Sequence, residues 1–186
     1  MENKIILLKG PTACGKTDHA SKLVKNHPLE IISVDSVMVY KGLDIGSAKP
    51  TSEELKLCPH HLIDVCEPTE NYSAGEFYQD VQRVIQSIIR KGKIPFLVGG
   101  TMMYFRVLEQ GISQLPSANP TVRNQIDSEA AANGWAKLHQ ELQRIDPTAA
   151  KKIDPSDKQR IQRALEVHRI TGKPISSFHG ERKQPI

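Results

Sequence analysis

The feature that most constrains this chain is the segment GPTACGKT at residues 10–17. Its spacing, G-x-x-x-x-G-K-[ST], is typical of a loop whose successive backbone N–H groups surround a di- or triphosphate. An apolar run of strand length precedes the segment, and a stretch with apolar residues at helical spacing follows it. Unpaired N–H groups and the helix dipole then converge on one anion site. The predicted phosphate-binding residues are Gly10, Pro11, Thr12, Ala13, Cys14, Gly15, Lys16 and Thr17.

Two side chains of this loop have predicted individual roles. Lys16 is expected to meet the outer phosphate, and the Thr17 hydroxyl is expected to bind Mg²⁺. The pattern predicts phosphate binding and leaves open whether the phosphate is transferred, hydrolysed or released.

Composition places the chain among ordinary globular proteins. Of its 186 residues, 38% are hydrophobic and 25% are charged. No apolar run approaches the roughly 20 residues that span a membrane. The three cysteines lack the paired spacing of a zinc site. We therefore expect a cytoplasmic protein with reduced thiols and no membrane contact.

The positive charge is unevenly distributed along the chain. Residues 1–114 carry 13 basic and 13 acidic side chains, whereas residues 115–186 carry 12 basic and 8 acidic ones. This excess in the second segment favours a polyanionic partner there. A solvated basic surface is equally compatible with the composition.

The first segment alternates strands with helices. We predict strands at residues 4–8, 30–34, 61–65 and 94–98. A clear helix lies between the third and fourth strands, where Ser73 and Glu76 have the spacing of a capping box. Such alternation predicts a parallel sheet covered by helices on both faces, with ligands beyond the carboxyl ends of its strands.

From about residue 115 the strand patterns end and three helical patterns follow. The turn QLPSANP at residues 114–120 is the natural boundary between the two segments. We expect an α/β core at residues 1–114, with a P-loop NTPase-like parallel sheet flanked by helices, and an all-helical module at residues 115–186.

Two predicted strand ends carry candidate catalytic groups. Asp35 follows the second strand, where it can act as a general base near a bound phosphate or simply cap the following turn. Thr101 follows Gly99 and Gly100 at the end of the fourth strand and begins a helix with further unpaired N–H groups. The long loop after Asp35 is of a length that is usually functional or mobile.

The last predicted helix has an apolar and a basic face. Ile161, Ala164, Leu165 and His168 form the expected core side. Gln159, Arg160 and Arg163 project elsewhere, and such a face suits contacts with phosphates or base edges. A solvated basic helix is the alternative interpretation.

Taken together, the motifs closely resemble the tRNA dimethylallyltransferases, also called tRNA isopentenyltransferases. The matching stretches follow the order of that family over nearly the whole chain. They are GPTACGKT, ISVDSVMVYKGLDIGSAKP, PHHLIDV, FLVGGTMMYF, LPSANPTVR and DKQRIQRALEVHRITGKPIS.

The resemblance implies transfer of a dimethylallyl group from dimethylallyl diphosphate, with Mg²⁺. The acceptor is the exocyclic amine of the adenine just 3′ of the anticodon, so the implied partner is a tRNA anticodon stem-loop. We also expect the protein to be a monomer. Asp35 matches the general base and Thr101 a residue that contacts the diphosphate or the reacting base. The helical module resembles the tRNA-gripping insertion of the family. The implied tRNA contacts are Asp35, Ser36, Val37, Met38, Thr101, Arg123, Gln159, Arg160, Ile161, Gln162 and Arg163.

The chain departs from the family pattern in one respect, because family members continue well past residue 186. We therefore expect that a further core strand and its helices are absent, and that this polypeptide alone could be inactive. Three alternatives stay open: a small-molecule kinase with a P-loop, a prenyltransferase of free adenine nucleotides, and a non-catalytic tRNA-binding fragment.

Overall fold

The computed structural model describes residues 4–180 and 185–186. It divides the chain into two units, Met1–Ile112 with Pro185–Ile186, and Ser113–Gln184. The helical module was expected to run from residue 115 to residue 186. Ile186 instead donates its N–H to the carbonyl of Leu108 at 3.0 Å, so the last two residues lie in the first unit.

The first unit, called the α/β unit below, alternates strands and helices. Its strands are β1 (Ile6–Lys9), β2 (Leu29–Val34), β3 (His60–His61) and β4 (Ile94–Gly99). Its helices are α1 (Lys16–Asn26), α2 (Ser52–Leu57), α3 (Ala74–Arg90) and α4 (Met102–Gln110). The strands form one parallel sheet in the order β1-β4-β2-β3, which confirms the predicted α/β class.

Two hydrophobic clusters cover the sheet. On one side α3 and α4 pack on Ile32, Val34 and Leu97, and the rings of Phe77 and Tyr104 stack with centroids 4.0 Å apart. In the other cluster, Ala20 of α1 packs with residues from β2 and β4. The predicted capping box at the start of α3 is present, because Ser73 accepts from the N–H of Glu76 and the Glu76 carboxylate accepts from the N–H of Ser73.

The third strand is much shorter than predicted. Residues 61–65 were expected to form it, but only His60 and His61 pair with β2. Leu62 and Asp64 have positive φ angles of 63° and 55°, a conformation that breaks strand pairing. The short helix α2 was missed, although Thr51 and Glu54 supply a second capping box in the sequence.

The second unit, called the helical unit below, contains no strand among its described residues. Its elements are α5 (Pro120–Asn133), α6 (Trp135–Ile145), α7 (Pro147–Ala150), α8 (Lys158–Thr171) and a 3₁₀ helix (Ile175–Gly180). Its core is built around Ile126, Leu142 and Leu165, whose side chains are fully buried. Asn119 caps α5 and Asp157 caps α8 through their side chains, each accepting a hydrogen bond from a backbone N–H of the first turn.

No helix in the described ranges is both long enough and apolar enough to cross a membrane.

Candidate functional site

The carboxyl ends of three strands are level with one another in the sheet. Lys9 pairs with Gly99, and Gly99 pairs with Val34. The phosphate loop, the Gly100-Thr101 turn and Asp35 therefore leave the sheet side by side. The strands approach so closely that a Cβ on Gly99 would lie 2.1 Å from the Val34 carbonyl oxygen, so only glycine fits there.

A cavity of about 460 Å³ opens at this edge of the sheet, within the size range of small-molecule sites. The loop and Asp35 both line it, as we expected from the parallel topology. Its lining residues are Thr12, Ala13, Gly15, Lys16, Thr17, Asp18, Ser33, Asp35, Val37, Met38, Gly46, Ser47, Ala48, Pro50, His60, Val98, Gly99 and Gly100.

The phosphate loop owes its shape to two left-handed residues. Ala13 has a φ of 63°, and Gly15, which immediately precedes α1, has a φ of 80°. The Lys16 ammonium donates to the carbonyl of Pro11 and lies 3.6 Å from Cys14 Sγ, so it curls over its own loop. Strand, loop and helix follow in the predicted order, which agrees with a P-loop NTPase-like core.

Asp35 has the geometry of a turn cap. Its Oδ1 accepts from the N–H groups of Val37 at 2.8 Å and Met38 at 3.2 Å. Oδ1 therefore caps the turn, as one of the two predicted roles requires. Oδ2 accepts no hydrogen bond from the residues that the structure describes. A carboxylate held by one oxygen and open at the other satisfies the geometric requirement for a base. The two roles are compatible.

Thr101 is joined to the segment that follows β2. Its hydroxyl accepts from the Ser36 N–H at 3.0 Å and donates to Ser36 Oγ at 3.3 Å. Its own N–H donates to the Val34 carbonyl at 3.2 Å. These bonds fix the start of α4 against the end of β2. Among the predicted tRNA contacts, the structure thus brings together Thr101 and residues 35–38.

One wall of the cavity was only partly anticipated. The loop after Asp35 was expected to be functional or mobile, but the particular residues that line the cavity, Gly46, Ser47, Ala48 and Pro50, were not predicted. Lys49, whose side chain is 4% exposed, donates to Asp44, Asp64 and the Tyr40 carbonyl at 2.7–2.9 Å. Burial alone would lower the pKa of Lys49, but the hydrogen bonds to the Asp44 and Asp64 carboxylates raise it. The buried Lys49 ammonium therefore anchors this loop.

The predicted nucleic-acid contacts on α8 are in different environments. Arg160 has 71% of its side chain exposed and pairs with Asp157, and Gln159 is also exposed. Gln162 donates to Asp127 at 2.7 Å. Ile161 is fully buried in the helical core, so it supports the segment by packing and offers no surface for contact.

The two remaining candidates, Arg123 and Arg163, meet at one carboxylate that was not among the predicted site residues. Glu166 is fully buried and accepts from both guanidinium groups at 2.6–3.1 Å. The only sequence signal is the i, i+3 spacing of Arg163 and Glu166, because Arg123 is 43 residues away. A surface pair at that spacing is common and carries little information.

The cavity offers oxygen ligands that suit Mg²⁺. Thr17, Asp18 and Asp35 all line it. Mg²⁺ is usually held by one or two protein oxygens and the phosphates of a substrate, with water completing its shell. No cluster of three or more His, Cys, Asp or Glu ligands occurs in the part of the chain that the structure describes. The residues therefore fit a metal that binds together with a phosphorylated ligand.

Comparisons with known proteins agree with this geometry. The family model described as IPP transferase matches residues 38–186. A tRNA dimethylallyltransferase of Coxiella burnetii (strain Dugway 5J108-111) is 57% identical over 94% of this chain and 56% of its own length. The chain thus spans about half the length of the curated relatives it matches.

Solved structures show the same likeness. The full-length tRNA isopentenylpyrophosphate transferase of Bacillus halodurans has 40% sequence identity and a TM-score of 0.58, over 93% of this chain and 57% of that one. A eukaryotic dimethylallyltransferase acting on tRNA has 29% identity and a TM-score of 0.83, over 100% of this chain and 46% of that one.

Proposed function

Because this chain belongs to the IPP transferase family, we propose that it carries the diphosphate-binding and tRNA-binding parts of a tRNA dimethylallyltransferase. The proposed reaction transfers a dimethylallyl group to the exocyclic amine of the adenine 3′ of the anticodon. The observation that carries the proposal is the cavity shared by the phosphate loop and Asp35. We further propose that the protein acts as a monomer, since one chain supplies both the phosphate loop and Asp35. We place the reaction in the cytoplasm.

The phosphate loop would hold the departing diphosphate. As the bond between the allylic carbon and the diphosphate oxygen breaks, negative charge grows on the leaving group. Lys16, the loop N–H groups and the N-terminus of α1 lie where they can stabilise that charge. Lys16 must leave the Pro11 carbonyl to do so. Thr17 would hold Mg²⁺ together with the diphosphate, and the metal would supply further charge neutralisation.

Asp35 would take the proton of the acceptor amine. The amine nitrogen forms the new bond to the allylic carbon while its proton moves to the carboxylate, so the product amine is neutral. The Val37 and Met38 N–H groups hold Oδ1 and leave Oδ2 for the proton. Thr101 would support this step by fixing Ser36, and with it the segment that contacts the target nucleotide.

The helical unit would bind the anticodon arm. The adenine must leave its stack to enter the cavity, which costs a few kcal/mol. Contacts between a basic surface and the RNA backbone can offset that cost. Arg160 and Gln159 are exposed on α8 and suit such contacts.

The deciding experiment incubates the chain with dimethylallyl diphosphate, Mg²⁺ and an unmodified anticodon stem-loop, and measures the adenine mass. We expect a gain of one dimethylallyl group, lost in Asp35→Asn and retained in Glu53→Gln, an exposed carboxylate on α2 of the same unit. Parallel reactions with radiolabelled ATP and with free adenine nucleotides test the alternatives. Phosphorylated acceptor without prenylated RNA would indicate a kinase, and stem-loop binding without product would indicate a binding fragment.

A further inference from the structure

A carboxylate buried in the helical unit holds two arginine side chains. Glu166 of α8 is fully buried. Arg123 of α5 donates to it through Nε at 2.9 Å and Nη2 at 3.1 Å, and Arg163 donates through Nη1 at 2.6 Å. These three residues are called the Glu166 cluster below.

The backbone completes the cluster. The Asn119 N–H donates to Glu166 Oε1 at 2.7 Å, and Arg163 Nη2 donates to the Pro116 carbonyl at 2.7 Å. Burial alone would raise the pKa of Glu166, but the hydrogen bonds from Arg123, Asn119 and Arg163 lower it, which keeps the carboxylate ionised. With two guanidinium groups and one carboxylate, the cluster carries a net charge of +1.

Stability alone does not account for this arrangement. Buried ion clusters recover their desolvation cost poorly, and well-packed apolar side chains often serve as well or better. About a third of each arginine side chain is also exposed to solvent, 34% for Arg123 and 29% for Arg163. A guanidinium has five N–H donors, and the described contacts use two on each arginine, so three on each remain.

We propose that Glu166 is a positioning residue that holds Arg123 and Arg163 as one preformed fork for a backbone phosphate of the RNA. The inference rests on the proposed function, because it takes RNA as the partner of the helical unit. Two immobilised guanidinium groups match the oxygens of a phosphate and lose little side-chain entropy on binding. Glu166 acts through the arginines and does not touch the RNA.

The test measures the affinity of the full chain for the unmodified anticodon stem-loop over a range of salt concentrations. In Glu166→Gln we expect the Kd to rise about tenfold, and the salt slope to lose about one phosphate contact. Simple charge counting predicts the opposite, because this variant is one unit more positive. Glu129→Gln is the matched control, since it removes a carboxylate paired with Arg169 in the same unit, and we expect its Kd to stay within twofold.

Arg123→Lys keeps the charge and leaves Glu166 paired with Arg163, so it covers the case in which Glu166→Gln does not fold. We expect near-normal thermal unfolding and a Kd raised several-fold, because an ammonium cannot hold Glu166 and a phosphate as a fork. Wild-type affinity in folded Glu166→Gln, or in Arg123→Lys, overturns the inference while the proposed function stands. If the wild-type chain does not bind the stem-loop, the RNA-binding proposal and the inference both fail, whereas the prenyl-transfer assay separately tests the chemistry.

Discussion

The two units place charged groups by different means. In the α/β unit, the cavity is shaped by main chain: three strand ends in register, a glycine pressed against Val34 and a loop with two left-handed residues. In the helical unit, the cationic groups are placed by side chains, with Arg123 and Arg163 held on one buried carboxylate. Under the proposed function, backbone N–H groups bind a phosphate in the α/β unit and guanidinium groups bind one in the helical unit.

This difference determines what a substitution can do. In the backbone-built cavity, strand pairing fixes where the loop and strand ends lie, so a substitution that forces the strands apart displaces them. A side-chain-built site loses its geometry when one ionised partner is removed and the others are left without their counter-charge. Perturbing either kind of site therefore tests the comparison.

The largest expected effect is that of Gly99→Ala. Its Cβ would lie 2.1 Å from the Val34 oxygen and 2.6 Å from the Val34 carbonyl carbon, so β2 and β4 must separate. We expect a loss of about 3 kcal/mol or more in the free energy of unfolding, measured with urea. Gly100→Ala is the control, because its Cβ comes no closer than 3.3 Å to Gly10 O.

Trp135, the only tryptophan, lies in the helical unit and separates the responses of the two units. In Gly99→Ala we expect faster amide exchange in β2 and β4 and little change in the Trp135 fluorescence transition. An equal shift of both signals would contradict the assignment of this defect to the α/β unit alone.

Lys49→Met tests whether a side chain also supports the backbone-built cavity. Lys49 anchors the loop that forms one wall of the cavity, and its carboxylate partners Asp44 and Asp64 are exposed enough to rehydrate. We expect a loss of about 2 kcal/mol in stability, and a KM for dimethylallyl diphosphate that rises more than kcat falls. Lys41→Met is the control in the same loop, because its pair with Glu67 is half exposed. Equal KM values in the two variants would remove Lys49 from the support of the cavity.

The same difference explains what the sequence could predict. The phosphate loop, Asp35 and Thr101 could be located because glycine spacing and strand ends are local patterns, and parallel pairing brings them to one edge. The Glu166 cluster could not be found, since Arg123 and Glu166 lie 43 residues apart and only packing of α5 on α8 joins them. The extent of β3 was mispredicted for a related reason. HLIDV has a strand pattern, but Leu62 and Asp64 take left-handed angles that the pattern does not show.

A smaller effect is expected from Glu30, which lies far from the cavity end of β2. Burial would raise the pKa of Glu30, but hydrogen bonds from His61, Lys93 and Lys91 lower it to about 2. The folded pKa is below the ordinary value of about 4.5, so this stabilisation is present above pH 4.5 and is lost as the pH falls towards 2. We expect Glu30→Gln to cost about 1 kcal/mol at pH 6, because the lysines are half exposed. Urea unfolding between pH 3 and 6 checks this, because the difference in unfolding free energy between wild type and variant should shrink as the pH falls. A difference that stays constant over this pH range would refute the prediction.

The smallest expected effect separates a surface ion pair from the Glu166 cluster within one unit. Arg169 donates to Glu129 and Glu141, but both carboxylates are 43% exposed, so water replaces a lost partner. The hydrogen bond from Arg169 lowers the pKa of Glu129, so its contribution is present at neutral pH and declines in acid. We expect Glu129→Gln to lower thermal stability by less than about 0.5 kcal/mol, with the loss vanishing at high salt. A loss of about 3 kcal/mol, the size expected when one partner of a buried ion pair is removed, would show that exposure does not distinguish Glu129 from the buried Glu166.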